Sequence, residues 1–336
     1  MAKWYDDTGF QGDIVLSTRV RLARNLKGIP FPNKMSDDDA KKVVGLVSGA
    51  LENMNYGFTR LDLNAMSKTE KQKLVEKRYI SPDLAKQTKP CAVFISDDES
   101  VSIMVNEEEH IRMQSIFAGL ECQKAYDIIS KIDAYLAEKL EYAVHPKYGY
   151  LTSCLTNLGT GMRVSCMLHL PAVCLCSVAD SMFATLGKLG ITVRGMYGEG
   201  SKASGYLFQI SNQMTLGVDE KEIIDKINDV VNQVIAKERE LRGVLLKQRG
   251  VAMEDKIMRS CAILKGARLL SSSEMLSLFS NARLAMSLGL VNGIEPRTLN
   301  SLMVETSPAS LADCGSVTQR DAERAKIVRE RLKKEE

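Results

Sequence analysis

Val101-Ser102-Ile103-Met104-Val105-Asn106-Glu107-Glu108-Glu109-His110-Ile111-Arg112 sets an alternating apolar run directly before three carboxylates, an imidazole and a guanidinium. The alternation over Val101 to Val105 predicts a strand, so the acidic cluster falls where a strand opens into a loop on a rigid scaffold. Taken alone, the octapeptide from Val105 to Arg112 reads as a charged, solvated turn. Arginine- and glycine-bearing turns recur elsewhere in the chain, and that recurrence shifts the reading towards a site.

Upstream, Ile14-Val15-Leu16 leads into Ser17-Thr18-Arg19-Val20-Arg21, a predicted strand whose period of two puts Arg19 and Arg21 on one face. Two like charges side by side on a sheet are costly unless an anion lies over them, and the alternative is a polar face with both heads in water. Ser36 to Asn55 has the stripe of an amphipathic helix, Ser67 with Glu70 forms a capping box, and Ser81-Pro82 opens a short third helix. Cys91 to Ser96 and Val101 to Val105 make a hairpin around Asp97-Asp98-Glu99, and Glu121 to Tyr142 reads as a long helix.

Downstream, Gly149 to Arg163 is a small, polar, glycine-rich loop of the kind that lets backbone approach a ligand. Arg163 to Leu170 reads as a strand, Val173 to Leu189 as a helix and Ile191 to Arg194 as a strand. Arg194-Gly195-Met196-Tyr197-Gly198-Glu199-Gly200-Ser201 is a second glycine-rich loop, closed by a strand from Gly205 to Ser211. The alternation of strands and helices gives an α/β reading in which strand order stays open. A helix to about Arg242, glycines at Gly243 and Gly250 and no later strand signal divide the chain into residues 1–244 and an all-helical domain over 245–336.

At 336 residues, 45% hydrophobic and 26% charged, the composition is that of a globular protein with a sizeable core. A net charge of +3 is too mild to argue for nucleic acid or an anionic membrane, so any anion site must be local. The eight cysteines form no CxxC pair and sit mostly in apolar segments, which argues against zinc and a disulfide framework. No metal-ligating residue set is read. The N-terminal stretch has no apolar h-region and no span is long enough for a bilayer, so a reducing cytoplasmic setting is expected.

Walker A, HRD, DFG, VAIK and HExxH patterns are absent, which excludes P-loop NTPases, ordinary protein kinases and zincin chemistry. Arg19, Arg21, Arg112, Arg163 and Arg194 each stand at a strand end or a glycine-rich turn. Guanidinium forks pair bidentately with phosphate oxygens, so this set suits a polyphosphate and phosphoryl transfer. Glu108 and Glu199 are left to handle the acceptor, and carboxylates favour a cationic one.

Four stretches, Ser17–Gly28 (STRVRLARNLKG), Val105–Arg112 (VNEEEHIR), Cys154–Arg163 (CLTNLGTGMR) and Arg194–Ser201 (RGMYGEGS), closely resemble the phosphagen (guanidino) kinase family in the same order. The likeness spans about Ile14 to Gly217. Within the family it is nearest to the bacterial protein-arginine kinase branch. Small-metabolite members carry a helical domain ahead of the STRVR-like strand, and here that strand begins at Ser17. Thr318 to Ala325 also resembles the branch's R-D-x-x-R-A motif.

The resemblance implies an α+β fold, an antiparallel sheet flanked by helices, followed by a helical C-terminal domain that mediates dimerisation. It implies ATP with Mg2+ as phosphate donor, bound by Ser17, Thr18, Arg19, Val20 and Arg21, by Arg112, by Arg163, Val164, Ser165, Cys166 and Met167, and by Arg194, Gly195, Met196, Tyr197, Gly198 and Glu199. Glu108 matches the catalytic carboxylate, Glu199 the substrate-clamping one, and Cys154 the reactive cysteine, which otherwise reads as a small buried thiol. Arg320, Asp321, Arg324 and Ala325 match the allosteric phosphoarginine site, where the alternative is a charged helix face over inward-packed Ala325, Val328 and Leu332. Arg112 is expected to point to the nucleotide rather than to a neighbouring glutamate, with Glu107, Glu109 and His110 as support. The branch implies transfer of the γ-phosphate to protein arginines, marking of proteins for the Clp ATPase and protease, inactivation of the CtsR repressor in the stress response and the activator McsA. Many members also place a nucleotide-touching histidine just before the Ile80-Ser81-Pro82 segment; here Arg78 and Tyr79 stand there, and that contact is not carried over. A kinase for a small guanidino metabolite and a catalytically dead phosphoarginine-binding adaptor remain the alternatives.

Overall fold

The computed structural model describes residues 3–196 and 204–333. In chain order its strands are β1 (Val15–Arg24), β2 (Phe58–Asp62), β3 (Ala92–Ser96), β4 (Val101–Val105), β5 (Ile111–Ala118), a short ribbon of β6 (Val144–His145) and β7 (Gly149–Tyr150), then β8 (Met162–His169), β9 (Ile191–Gly195) and β10 (Leu207–Asn212). All but the ribbon join one eight-stranded sheet in the order β2-β3-β4-β5-β1-β8-β10-β9, and each neighbouring pair is antiparallel.

Helices α1 (Asp37–Glu52), α2 (Lys68–Glu76) and α3 (Pro82–Ala85) precede the hairpin, and α4 (Cys122–Lys139) follows β5. The Ser36–Asp39 and Ser67–Glu70 capping boxes both form, each pairing a side chain with the partner's backbone N–H. Along α4, Ala125, Ile129, Ile132 and Leu136 recur at helical spacing and are fully buried against β1 and β5. That face takes Thr18, Val20 and Leu22 of β1 into the core. The other face of the sheet is left to the arginines.

Three local readings need correction. β5 has no counterpart among the sequence-predicted strands, because nearly all its residues are buried on both faces and the amphipathic contrast is lost. The acidic octapeptide is therefore the turn of a β4–β5 hairpin, with Val105 opposite Ile111. The helix predicted over Val173 to Leu189 is two helices, α5 (Pro171–Leu175) and α6 (Ala179–Lys188), parted by Ser177 at φ 59°. The helix expected to stop near Arg242 is α7 (Glu220–Gly266), which runs through Gly243 and breaks regular geometry at Gly250 (φ 39°, ψ −128°).

Beyond it lie α8 (Ser272–Ser287), α9 (Pro296–Glu305) and α10 (Val317–Lys333). Their apolar residues belong to the same buried cluster as the sheet and α4. Polar ties reinforce the seam: Ser301 Oγ donates to the Tyr5 carbonyl at 3.0 Å, and Arg283 Nη1 donates to the Gly12 carbonyl at 3.2 Å. His169 Nε2 meets Ser280 Oγ at 2.7 Å, with the ring held neutral by burial and by Arg242 and Arg283.

Arg24, at the end of β1, is one of the largest fully buried side chains. Its Nε and Nη2 grip both oxygens of Asp133 on α4, at 3.1 and 2.7 Å, and Nη1 donates to the Thr160 carbonyl at 3.0 Å. The guanidinium also lies 3.5 Å from the centre of the Tyr150 ring. Removing one partner of such a pair leaves the other charge buried and alone. Arg24→Met is expected to cost about 3–5 kcal/mol of stability in urea unfolding; a loss below about 1 kcal/mol contradicts this.

Candidate active site

Strand register brings the sequence-predicted arginines together. Arg21 of β1 lies directly opposite Arg163 of β8, Ala23 of β1 opposite Arg112 of β5, and Gln209 of β10 opposite Arg194 of β9. Directly paired residues share a face, so all five arginines point the same way. They line one side of a cavity of about 950 Å³, with Met167, Gly195 and Met196 beside them. That volume is at the upper end for a small-molecule site and is large enough for two reactants.

The face is electrostatically strained. Arg19 Nη2 donates to Gln209 Oε1 at 3.1 Å and Arg163 Nη2 to Ser211 Oγ at 2.8 Å, both neutral acceptors. Arg21 Nε has no hydrogen-bond partner among the described residues. Burial, then repulsion from Arg78, Arg112 and Arg163, pushes Arg19 down to about 9. Arg21 is pushed well below its usual value by burial and then by repulsion from Arg19, Arg112 and Arg163. A polyanion over this face removes the repulsion.

Opposite the arginines stands the acidic turn, and its three glutamates do different work. Glu107 is buried, accepts from Ser81 Oγ and forms an ion pair with Arg112 Nη1. Arg112 therefore does turn to a neighbouring glutamate, contrary to expectation, while still lining the cavity. Glu109 is 0% exposed and takes four donors: Asn25 Nδ2 at 2.6 Å, the Ser153 N–H at 2.7 Å, the Cys154 N–H at 3.1 Å and Asn157 Nδ2 at 3.1 Å. Glu108 alone is exposed, and it faces the cavity.

The residues around them hold that geometry. Asn106 adopts φ 62°, tolerable for asparagine, and its amide donates to the carbonyls of Ala40 and Pro90 at 2.9 and 2.8 Å. His110 Nδ1 accepts the Leu26 N–H at 3.0 Å, so Nε2 carries the proton donated to the Pro30 carbonyl at 2.9 Å. Burial keeps this imidazole below its usual pKa and neutral.

Glu109 joins this turn to the Cys154 loop. Cys154 is half-buried, with its Sγ 3.0 Å from Thr156 Oγ1. It sits beside the cavity, whose lining at this end is Thr156 and Asn157. Two glycines of the loop are demanded by close approaches within the chain itself. A Cβ on Gly159 (φ 106°) would lie 2.2 Å from the Thr215 carbonyl oxygen, and one on Gly161 (φ 63°) 2.6 Å from that of Ala23.

Several predicted contacts fall elsewhere. Thr18, Val20, Val164 and Cys166 point to the opposite, core face of the sheet: Thr18 Oγ1 donates to the Gly119 carbonyl at 2.6 Å, and Cys166 Sγ lies 3.8 Å from Cys122 Sγ. Ser17 and Ser165 are on the arginine face but buried. Tyr197, Gly198 and Glu199 lie outside the described residues. Among the described residues no cluster of three or more His, Cys, Asp or Glu side chains could hold a metal.

One residue whose role the sequence left open joins the cavity. Arg78, at φ 67° just beyond α2, lines the cavity, donates to Ser17 Oγ at 3.0 Å and lies 4.3 Å from the centre of the Trp4 ring. The local sequence pattern does not mark a lone arginine after a helix as part of a site; only the family resemblance pointed to this position, without choosing between Arg78 and Tyr79.

The C-terminal motif divides as well. Arg324 is 2% exposed, its Nε donating to the Thr306 carbonyl and its Nη1 to the Leu270 carbonyl, both at 2.8 Å, with Asp321 Oδ1 at 2.5 Å. Ala325 is buried behind it. The solvated face read from the i, i+4 spacing thus holds only for Arg320 and Asp321, which are partly exposed.

Two outcomes follow from these contacts. Glu109→Gln replaces one acceptor oxygen with a donor facing donors. It is expected to lower kcat by about tenfold to a hundredfold, through misplacement of the Cys154 loop, and to leave nucleotide affinity within about twofold in a titration. Equal loss of both contradicts it. Arg324→Ala is expected to destabilise by about 3 kcal/mol in urea unfolding against about 0.5 kcal/mol or less for Arg320→Ala; equal losses contradict the inward assignment.

Residues 41–241 match the family model of the ATP:guanido phosphotransferase C-terminal catalytic domain, and residues 250–336 match the protein-arginine kinase McsB C-terminal domain. Protein-arginine kinases of Desulforamulus reducens and Clostridium acetobutylicum are each 43% identical over 340 residues, covering 98% and 99% of this chain and 95% and 100% of theirs. That of Geobacillus stearothermophilus is 41% identical, covering 100% of this chain and 94% of its own. Among solved structures, the duplicated taurocyamine kinase of Schistosoma mansoni with bound transition state analogue components superposes with a TM-score of 0.63 at 26% identity, over 71% of this chain. This chain spans 36% of the length of that duplicated protein. A lombricine kinase superposes with a TM-score of 0.63 at 22% identity, over 70% of this chain and 69% of its own, a likeness of fold. The chain belongs to the ATP:guanido phosphotransferase family, in the branch of the protein-arginine kinases.

Proposed function

We propose that the chain is an ATP-dependent protein-arginine kinase. The observation that carries this is the disposition of charge in one cavity: five arginines on a single sheet face, and Glu108 as the one exposed carboxylate of the acidic turn beside them. The first set suits the triphosphate of the donor, the second the guanidinium of the acceptor. The names of the relatives support the same reading.

Magnesium enters as part of the Mg–ATP substrate, its role being to neutralise charge on the phosphates. The acceptor is a guanidinium, protonated at neutral pH and so a poor nucleophile until it loses a proton. Glu108 pairs with it, orients one nitrogen towards the γ-phosphorus and takes the proton as the N–P bond forms. The bond from the γ-phosphorus to the bridging oxygen breaks, and ADP leaves with that electron pair. Glu199 is proposed as the second carboxylate on the guanidinium and Cys154 as a contact beside it. The buried pair Glu107–Arg112 holds the turn while leaving Glu108 free.

Further parts of the reading rest on the branch rather than on the cavity. These are marking of proteins for a Clp protease, inactivation of the CtsR repressor, activation by McsA, a homodimeric assembly and a cytoplasmic setting. No helix among the described residues is long and apolar enough to cross a membrane. A phosphoarginine receptor at the head of α10 is proposed through Arg320 and Asp321, the members of the motif that solvent reaches.

Incubation of wild type and Glu108→Gln with Mg-ATP, a loosely folded protein and free arginine tests the assignment. Acid-labile phosphate is expected on the protein and not on free arginine. Glu108→Gln is expected to keep nucleotide affinity and lose transfer by about a hundredfold or more. Near-wild-type transfer in the variant removes Glu108 from the role. Label on free arginine alone supports a small-metabolite kinase, and no label supports a binding adaptor.

A further inference from the structure

The most exposed large apolar side chain among the described residues stands at the end of the cavity beside the acidic turn. Leu155 is 81% exposed and follows Cys154 directly, in the single helical turn Leu155–Asn157. Its next two neighbours, Thr156 and Asn157, line the cavity, so Leu155 sits at the rim.

That placement is enforced on both sides of the turn. The bonds from Ser153, Cys154 and Asn157 to Glu109 hold one side. On the other, Thr215 Oγ1 donates to the Leu158 carbonyl at 2.7 Å and lies 3.1 Å from that of Thr156. The Thr215 carbonyl in turn accepts the Thr160 N–H at 2.9 Å. A loop tied at both ends therefore presents Leu155 to water.

Further apolar groups continue the surface. Thr215 is buried, while Met214 and Leu216 on either side of it are half-exposed. A Cβ on Gly159 would lie 2.8 Å from Leu216 Cα, so Leu216 abuts the Cys154 loop. Beyond it, a Cβ on Gly190 would lie 3.6 Å from Met214 Sδ, and Leu189, next in the chain, is half-exposed too. Residues 150–162 and 207–218 contain no Lys, Arg, Asp or Glu, in a chain that is 26% charged. An uncharged apolar strip thus runs from the rim at Leu155 past Leu216 to Met214 and Leu189. Contiguous exposed apolar surface of this kind marks a contact site.

The acceptor indicates what covers it. An arginine whose guanidinium reaches Glu108 leaves its own backbone at the mouth of the cavity. In a protein the residues on either side then lie on the rim, since two residues of extended chain span about 7 Å. Free arginine has no such neighbours.

We propose that the strip from Leu155 to Leu189 docks the polypeptide that carries the target arginine, taking the apolar side chains next to that arginine. The inference rests on the reading of the chain as a protein-arginine kinase, and it names the class of segment accepted: extended, apolar and ordinarily buried in a folded protein. Burial of the flanking side chains drives the contact, and a surface already fixed adds little ordering cost on the enzyme's side. The two uncharged segments hold no group that would select a basic or an acidic flank.

Two short peptides with one arginine each test the surface, the first with leucine and phenylalanine around the arginine, the second with glycine and serine. With Mg-ATP and wild type, the first is expected to have a KM about tenfold lower, at a kcat within about twofold. Leu155→Ser and Leu216→Ser change side chains that solvent already reaches, and circular dichroism checks that both variants fold. Both are expected to lose most of the preference while phosphorylating the glycine–serine peptide as wild type does. A wild type that does not distinguish the peptides overturns the docking surface, and so does a preference that survives in both variants. Sedimentation gives a second readout: self-association lost on either substitution assigns the strip to a second copy of the chain and overturns the proposal. A wild type that phosphorylates neither peptide sinks the protein-kinase reading, and the surface falls with it.

Discussion

The fully buried carboxylate of Glu109 is the contact on which the site depends. It is one residue from Glu108 and accepts from Asn25 just beyond β1 and from Ser153, Cys154 and Asn157 of the Cys154 loop. A buried charge is tolerable only when it is saturated, and four donors saturate this one. The same four bonds fix the spacing between the proposed base and the loop beside it. Glu107 and His110 complete the arrangement by turning inward, which leaves Glu108 as the one carboxylate of the turn that faces the cavity.

The arginine face has the opposite character. Glu109 is satisfied within the fold, whereas Arg19 and Arg21 are half-buried beside like charges and are destabilised as charged groups. The cost is borne by the core: Arg24–Asp133 and the apolar packing of α4 hold β1 rigidly enough to keep its alternate residues in place. Catalytic sites commonly concentrate such unfavourable electrostatics where a ligand of opposite sign will relieve them. The ligand proposed for this face is a triphosphate.

Much of this was legible in the sequence, and the exceptions have physical causes. The alternation of Arg19 and Arg21, the helix from about Ser36, the Ser67 cap and the hairpin before Val105 are local signals and appear as read. β5 was hidden because burial on both faces removes the contrast that marks a strand. Antiparallel order came from resemblance, since periodicity carries no information on strand direction. Glu109 and Glu108 are neighbours of one chemical type, and only the turn's geometry separates the buried clamp from the exposed carboxylate. Arg78, and Leu276 and Met303 of the C-terminal helices, reach the cavity through tertiary packing alone. Arg324, four residues from Arg320, looked like its partner on a solvated face, yet helix rotation and the carbonyls of Leu270 and Thr306 draw it inside.

Tandem mass spectrometry of a protein treated with the enzyme and Mg-ATP, under fragmentation that retains labile phosphate, locates the transferred group directly. The account predicts phosphate on arginine side chains, lost on mild acid treatment and absent when Glu108→Gln replaces wild type. Acid-stable phosphate on serine, threonine or tyrosine contradicts it.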